Sequence, residues 1–264
     1  MIGPAELERL AAAHRTVLKD EPATCVEILG AGDAAVVQKT YRNLGLRWLQ
    51  SLWRQSRAQR EHDHLAAIVA AGLPCLVPLG WFARRRLGGV DTSTLVTRYL
   101  PDSQPLKQVL RAPPASVAPR QRATLATAMG ALVAAMHRQG FLWCTPMPRN
   151  ALVVGPPAAG RIVVCDTPAC IALGRNLHGR RLCRIDLFLG AFSPSRRRDW
   201  SAPERLRWLL GYTAGDRPAA RALWRVMVRR RPLQNVVERA LAMAFLTYIL
   251  GRLRSQRPPT DPAR

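Results

Sequence analysis

Apolar and polar positions follow two different periods along the first hundred residues. Residues Ala5 to Leu18 show helical spacing, whereas Cys25 to Leu29 and Ala34 to Tyr41 show the short-period pattern of strands joined by a turn that contains glycine. A second apolar helix is predicted from Ala58 to Ala71. This pattern predicts a mainly antiparallel sheet that is preceded by one helix and combined with another.

Helical spacing dominates the second half of the chain. After a Pro-rich stretch from Pro101 to Pro119, the residues from Gln121 to His137 are rich in Ala and Leu and predict a core helix. Two β-branched runs, Ala151 to Val154 and Ile162 to Val164, are separated by a Gly/Pro turn and predict a hairpin. The second half is therefore expected to be mainly helical, with one hairpin inserted.

The change from strands to helices near Pro101 predicts two lobes. Residues 1–100 are expected to form the sheet-containing lobe, residues 101–254 the helical lobe, and residues 255–264 a disordered tail. The last predicted helix, Val236 to Arg254, contains an apolar run of about eleven residues, which is too short to span a bilayer. It is either a core helix or an interfacial helix on acidic lipid.

Charge narrows the range of partners. The 264 residues carry a formal net charge of +23, from 40 Lys and Arg against 17 Asp and Glu, and this field favours phosphate-bearing partners. A nucleic acid is not expected, because no aromatic-plus-glycine RNA motif and no DNA-reading helix accompanies the charge. Nearly all the basic residues are Arg, so a Lys that persists at a particular position, such as Lys39, is informative.

Cysteine usage and hydropathy indicate the cellular compartment in which the protein is expected. The six cysteines form no CxxC pair and no Cys/His ligand spacing, which favours buried, reduced thiols. The N-terminal residues lack a signal-peptide pattern, and no apolar run approaches the roughly 20 residues that a membrane-spanning helix needs. We expect a cytoplasmic protein, with peripheral contact at the inner membrane as an open alternative.

Polar residues that could carry chemistry lie around the predicted strands. Asn150 stands directly before the hairpin and Asp166 follows it, while Lys39 lies on the strand after the glycine turn of Gly30 and Gly32. Glycines at such a turn let backbone N–H groups approach a phosphate, although two glycines often make only a turn. Lys39 could equally be a solvated strand residue.

The bracketing of a hairpin by Asn and Asp resembles the catalytic loop and metal-binding strand of the protein-kinase-like superfamily. Counting back from Asn150 along H-x-D-x-x-x-x-N places the catalytic aspartate at position 145 and its leading histidine at 143. The chain has Thr145 and Trp143 there. A shift of register cannot restore the base, because residues 103–165 contain no Asp and no Glu.

A more specific resemblance is to the lipopolysaccharide kinase (Kdo/WaaP) family. The chain shares its Lys-x-Tyr-Arg strand at Lys39 to Arg42, its Ser-Arg-Ala-x-Arg-Glu element at Ser56 to Glu61, and its Gly-Leu-Pro and Pro-Leu elements at Gly72 to Pro74 and at Pro78 and Leu79. The resemblance implies an α+β, bilobal protein-kinase-like fold, with an antiparallel N-lobe sheet plus helix and a mainly helical C-lobe.

The same resemblance implies roles for the candidate residues and for their ligands. Gly30 and Gly32 would cover a nucleotide, Lys39 would bind its phosphates, and Glu61 would hold Lys39; the nearest rival to Glu61 is Asp63. Asn150 and Asp166 would ligate Mg²⁺ on ATP, with a lipopolysaccharide-type glycolipid as acceptor.

Two further residues of the helical half are interpreted by the same resemblance. Asp186 would hold the catalytic loop through backbone hydrogen bonds and is therefore interpreted as structural. His137 ends the core helix and is either structural or chemical.

With Thr145 in place of the base, two functions remain open. One is a slow phosphotransferase acting on a Kdo or heptose hydroxyl, since positioning and charge neutralisation supply most of the rate in phosphoryl transfer. The other is a pseudokinase, which keeps the fold as a nucleotide-binding or structural module. If Lys39 and Glu61 carry their family roles, the lysine nitrogen should lie within about 4 Å of the glutamate carboxylate.

Overall fold

The computed structural model describes residues 2–43, 45, 48, 51–113, 116–167, 169–193, 196 and 198–229. The helix predicted at Val236 to Arg254 and the tail predicted at 255–264 lie outside these residues. The chain divides into two compact units, residues 1–221 and 222–264. The first unit contains the elements that position the candidate site.

A five-stranded antiparallel sheet occupies the N-terminal part of the chain. Its strands, in chain order, are β1 (Arg15–Glu21), β2 (Thr24–Leu29), β3 (Val36–Arg42), β4 (Pro78–Arg86) and β5 (Gly89–Arg98). They pair in the order β1-β2-β3-β5-β4. The predicted hairpin of β2 and β3 is therefore confirmed, and β3 lies at the centre of the sheet.

Each face of the sheet is covered by one helix, α1 (Pro4–Ala13) or α2 (Arg57–Ala70). Successive residues of a strand point to opposite faces. On β5, Val96 packs in a cluster with Leu7 of α1, and Leu95 packs in another with Leu65 of α2. The same alternation directs the side chains of β3 either toward α1 or toward α2.

The first helix is shorter than the sequence pattern predicted. The prediction of a helix through Leu18 was wrong, because the backbone becomes extended at His14 and residues Arg15–Glu21 form the edge strand β1. Every residue of β1 is exposed, so no alternation of buried positions marks it as a strand. Hydrogen-bond pairing with β2 has overridden the local helical spacing.

Helices and two small sheets form the rest of the first unit. The helices are α3 (Leu106–Arg111), α4 (Pro119–Arg138), α5 (Arg184–Leu187), which continues as a π-helical turn, α6 (Ala202–Tyr212) and the start of α7 (Arg217–Arg229). The strands are β6 (Ser103–Pro105), β7 (Phe141–Leu142), β8 (Ala151–Val154), β9 (Ile162–Val164) and β10 (Ile171–Ala172), and they pair in the orders β6-β8-β9 and β10-β7. The predicted core helix and the predicted hairpin, β8 and β9, are both present.

Two glycines allow α4 and α6 to cross at close range. A Cβ atom on Gly130 would lie 1.9 Å from the Trp208 carbonyl oxygen, and one on Gly211 would lie 1.9 Å from the Thr127 carbonyl oxygen. Neither position can accept a side chain without separating the helices. This contact fixes α4, whose C-terminal end leads into the candidate site.

The architecture is the α+β kinase-like arrangement that the sequence predicted, with a sheet-based N-terminal part and a mainly helical part after it. The lobe boundary near Pro101 remains a prediction. None of the helices within the described residues is long and apolar enough to cross a membrane.

Candidate active site

Lys39 and Glu61 form a buried ion pair between the sheet and α2. The Lys39 Nζ atom lies 3.0 Å from Glu61 Oε1, and the Glu61 side chain is 0% exposed. Lys39 and Tyr41 are two residues apart on β3 and point to the same face, so the Tyr41 hydroxyl donates a hydrogen bond to Glu61 Oε2. The ion pair predicted from the sequence is therefore present, and Tyr41 is an additional member of it.

The apolar stripe of α2 carries Glu61 into the interior. Ser56 caps the helix by accepting a hydrogen bond from the Gln59 N–H at 3.1 Å. Glu61 and Leu65 are one helical turn apart and are both buried. Asp63 lies on another face and pairs with His62, so the alternative partner for Lys39 is excluded.

Burial and neighbouring charges shift the pKa values of Glu61 and Lys39 in opposite directions. Burial raises the pKa of Glu61 above its usual value, although the nearby Lys39 ammonium favours the ionised carboxylate. Burial alone would lower the pKa of Lys39, but the charges of Glu61 and Asp166 outweigh it and raise that pKa well above its usual value. The two carboxylates therefore favour the protonated, cationic form of Lys39.

Asp166 lies on the other side of the same lysine. Its Oδ1 atom is 3.2 Å from Lys39 Nζ, and it is buried without a hydrogen-bond partner among the described residues. Two contacts fix the backbone here: the Trp143 indole N–H donates to the Asp166 carbonyl at 3.0 Å, and His64 Nδ1 donates to the Thr167 carbonyl at 2.9 Å. Because α2 carries both Glu61 and His64, one helix positions both carboxylates around Lys39.

Asn150 lies at the same end of the hairpin as Asp166. Ala151 of β8 pairs with Val164 of β9, and the Cys165 N–H donates to the Asn150 carbonyl at 3.0 Å. The Asn150 amide nitrogen donates to the Thr145 carbonyl at 2.8 Å, which leaves the amide oxygen as the group that could face a cation. A hard cation prefers such oxygen ligands, so Asn150 and the Asp166 Oδ1 atom fit Mg²⁺.

The loop between α4 and β8 is held by a single buried carboxylate. Asp186 accepts hydrogen bonds from the Trp143 N–H at 2.8 Å, the Cys144 N–H at 2.7 Å and His137 Nε2 at 3.0 Å. These contacts hold Cys144 at a φ of +62°, which non-glycine residues rarely adopt. Tyr212 contacts His137 Nδ1 at 2.9 Å, so both ring nitrogens of this histidine have structural partners.

Thr145 occupies the position at which counting back from Asn150 along the kinase motif places a catalytic aspartate. Its Oγ1 atom is buried and has no hydrogen-bond partner within the described part of the chain. Its carbonyl oxygen holds Asn150, so the backbone contributes to the site even though the side chain cannot act as a carboxylate base. The Thr145 backbone therefore helps to position Asn150, while its side chain offers only a hydroxyl.

The two glycines of the β2–β3 turn differ in their surroundings. Gly30 has a φ of +77°, and a Cβ atom there would lie 2.9 Å from Leu10 of α1, so packing already accounts for a glycine. Gly32 has a φ of +60° and faces open space. A role for either glycine in covering a nucleotide stays a prediction.

Sequence reasoning identified Lys39, Glu61, Asn150 and Asp166 but missed residues that fix them. Tyr41 could have been found, since its spacing from Lys39 on a strand places both on one face. Trp143 and His64 could not, because each donates to a backbone carbonyl, which leaves no signature in sequence. The structure brings Lys39, Glu61 and Asp166 into contact, with Asn150 beside the hairpin end that carries Asp166.

Comparisons with known proteins found similarity to one family and to the fold of a solved structure. The model of the lipopolysaccharide kinase (Kdo/WaaP) family matches residues 36–165, which include Lys39, Glu61 and Asn150 and end one residue before Asp166. A solved structure described as WaaP in complex with acyl carrier protein matches with a TM-score of 0.50 at 18% identity, over 94% of this chain and 92% of that one. At this identity the likeness shows the fold alone. No curated protein sequence matches the chain.

Proposed function

The chain belongs, through residues 36–165, to the lipopolysaccharide kinase (Kdo/WaaP) family. From this premise we propose that it binds Mg-ATP and transfers phosphate only slowly. The observation that carries the proposal is the position of Lys39 Nζ, 3.0 Å from Glu61 and 3.2 Å from Asp166. A lysine held between two carboxylates is oriented and charged, as phosphate binding requires.

Each residue of the site has a part in this proposal. Lys39 binds phosphate oxygens, and Glu61 holds Lys39 in place with help from the Tyr41 hydroxyl. Asn150 and Asp166 provide the oxygen ligands for the metal. When bound, ATP would supply the phosphoryl group and Mg²⁺ would neutralise the charge that develops on it, while the chain contributes binding and orientation.

The proposed acceptor is a sugar hydroxyl of a lipopolysaccharide-type glycolipid, of the Kdo or heptose kind. Such an acceptor is anchored in a membrane, so the proposal includes peripheral contact with the anionic inner membrane. The net charge of +23 supports this contact, because anionic lipid attracts basic surfaces. No part of the proposal requires a nucleic acid.

A pseudokinase is the second candidate, and Thr145 is the observation that favours it. General-base catalysis is typically worth about 10²–10⁴-fold in rate, and a threonine hydroxyl cannot supply it at neutral pH. A chain that keeps Lys39, Glu61 and Asp166 without a base could serve as a nucleotide-dependent binding module. A pseudokinase would transfer no phosphate, and as a purely structural module it would not bind nucleotide either.

The test is a phosphate-transfer assay on Kdo- and heptose-containing acceptors with wild type, Asp166→Ala, Thr145→Asp and Thr145→Asn. We expect slow or absent turnover in wild type and a gain in Thr145→Asp that Thr145→Asn does not share, because only aspartate adds a carboxylate. Robust wild-type turnover that survives Asp166→Ala would show that the chemistry lies on other residues. No turnover in any variant, with nucleotide bound, would favour the pseudokinase.

A further inference from the structure

A basic pocket lies at the N-terminal end of α2. It has a volume of about 270 Å³ and is lined by the end of β3, the segment 51–56 and the first turn of α2. Four of its ten lining residues are arginines, Arg42, Arg54, Arg57 and Arg60, and none is acidic. The helix N-terminus adds partial positive charge at the same place.

Two of these arginines are available for an anion. Neither Arg54 nor Arg57 has a carboxylate within 4 Å among the residues that the structure describes. The Arg57 guanidinium lies 4.2 Å from the centre of the Tyr41 ring, which orients it without neutralising its charge. Arg42 pairs with Asp20 at 3.3 Å, but both side chains are largely exposed and the pair is weak.

Large apolar side chains are exposed beside the pocket. Trp53 is 68% exposed, and Leu52 is 39% exposed. The segment that carries them is fixed to the β4–β5 turn, because Ser51 Oγ accepts a hydrogen bond from the Val90 N–H at 2.7 Å. Leu87, at the tip of that turn, is 84% exposed. Exposed Trp and Leu next to arginines are the side chains that favour a membrane–water interface.

We propose that this pocket binds the phosphate group of an anionic membrane lipid, while Leu52, Trp53 and Leu87 contact the acyl boundary of the same membrane. The pocket supplies charge complementarity to a phosphate oxyanion through Arg54 and Arg57. The apolar residues beside it select a lipid over a free phosphate ion, since a free ion gains nothing from them. The acidic surface of a membrane is thus bound at the end of α2.

The position of the pocket connects this membrane contact to the nucleotide site. Tyr41 lines the pocket and donates a hydrogen bond from its hydroxyl to Glu61, so one residue contacts both the pocket and the partner of Lys39. The inference extends the proposed function by naming the surface that meets the membrane in which an acceptor is anchored. It does not depend on nucleotide binding or on phosphate transfer.

The test is co-sedimentation of the full chain with vesicles of phosphatidylcholine alone, and of phosphatidylcholine with phosphatidylglycerol in equal parts. We compare wild type with the double variant Arg54→Gln/Arg57→Gln and with a control, Arg138→Gln/Arg207→Gln, which removes the same charge from exposed positions on α4 and α6. Each arginine near an anionic surface contributes about fivefold to vesicle affinity, so the first double variant should bind anionic vesicles roughly 30-fold more weakly. The control should stay within about twofold of wild type.

Further variants separate lipid binding in the pocket from binding of free phosphate and from diffuse charge attraction. Trp53→Ser should weaken vesicle binding but leave unchanged the affinity for inorganic phosphate, measured by titrating phosphate into the protein. Lys39→Ala should bind vesicles like wild type even if nucleotide binding is lost. Equal losses in the two double variants would overturn the proposal in favour of diffuse charge attraction. Arg-dependent binding of inorganic phosphate without vesicle binding would overturn the lipid assignment. Unchanged melting temperatures exclude misfolding as the cause of a loss.

Discussion

The Lys39 ammonium lies 3.2 Å from Asp166 Oδ1, and this contact joins the central strand of the N-terminal sheet to the end of the β8–β9 hairpin. Asp166 Oδ1 is otherwise buried without a hydrogen bond in the described structure. A metal ion that binds Asp166 therefore shares the carboxylate with Lys39 or displaces it. Under the proposed function, nucleotide binding at Lys39 and metal binding at Asp166 would therefore be interdependent.

Tyr41→Phe should destabilise the protein by about 1–3 kcal/mol, because it removes a hydrogen-bond donor from the buried Glu61 carboxylate. Unfolding by urea measures the loss. Tyr99→Phe is the matched control, since its hydroxyl makes no side-chain hydrogen bond within the described residues. Equal stability of the two variants would mean that Tyr41 does not support Glu61.

Asp186→Asn should destabilise the loop by about 3 kcal/mol or more. An amide cannot accept from Trp143 N–H, Cys144 N–H and His137 together, and its own NH₂ group would face one of these donors. Denaturant unfolding gives the magnitude. Asp216→Asn serves as control, because Asp216 accepts one hydrogen bond at an exposed helix start and asparagine keeps it. A loss at Asp186 no larger than in this control would contradict the structural role.

Glu204 should contribute stability that depends on pH. Burial opposes its ionisation, but hydrogen bonds from Arg122 and from the Ser201 N–H outweigh burial and lower the pKa of Glu204 below its usual value. A carboxylate with a lowered pKa stabilises the fold above its unfolded-state pKa of about 4.3, and this stability is lost as the pH falls through the folded-state value.

Unfolding free energies of wild type and Glu204→Gln from pH 7 to pH 3 check this expectation. The difference between them should be constant at neutral pH and shrink on acidification. Glu6→Gln is the control, since Glu6 pairs with Arg9 on an exposed helix face. A difference that grows below pH 4 would show that the pKa of Glu204 is raised in the folded state and not lowered.

Much of the fold was predictable because its signals are local. Alternation marked β2 and β3, and helical spacing marked α4, all of which the structure contains. The edge strand β1 was not predictable, because its side chains are all exposed and only pairing with β2 defines it.

The candidate site likewise contains residues that the sequence could reveal and residues that it could not. Lys39 and Glu61 carry a residue type and a spacing that sequence can reveal. By contrast, Trp143 and His64 act on the carbonyls of Asp166 and Thr167, and any residue type offers a carbonyl. Such contacts depend on how α2 and the loop are brought together, which is a property of the tertiary structure.

The most direct measurement is a thermal-shift titration with Mg-ATP on wild type, Lys39→Ala, Asp166→Ala and the control Lys107→Ala. A ligand at 100 times its Kd stabilises the folded state by about 2.7 kcal/mol, so a shift should be readily seen. The account predicts a shift in wild type and in Lys107→Ala, and none in Lys39→Ala or Asp166→Ala. No shift in wild type, or an equal shift in Lys39→Ala, would contradict it.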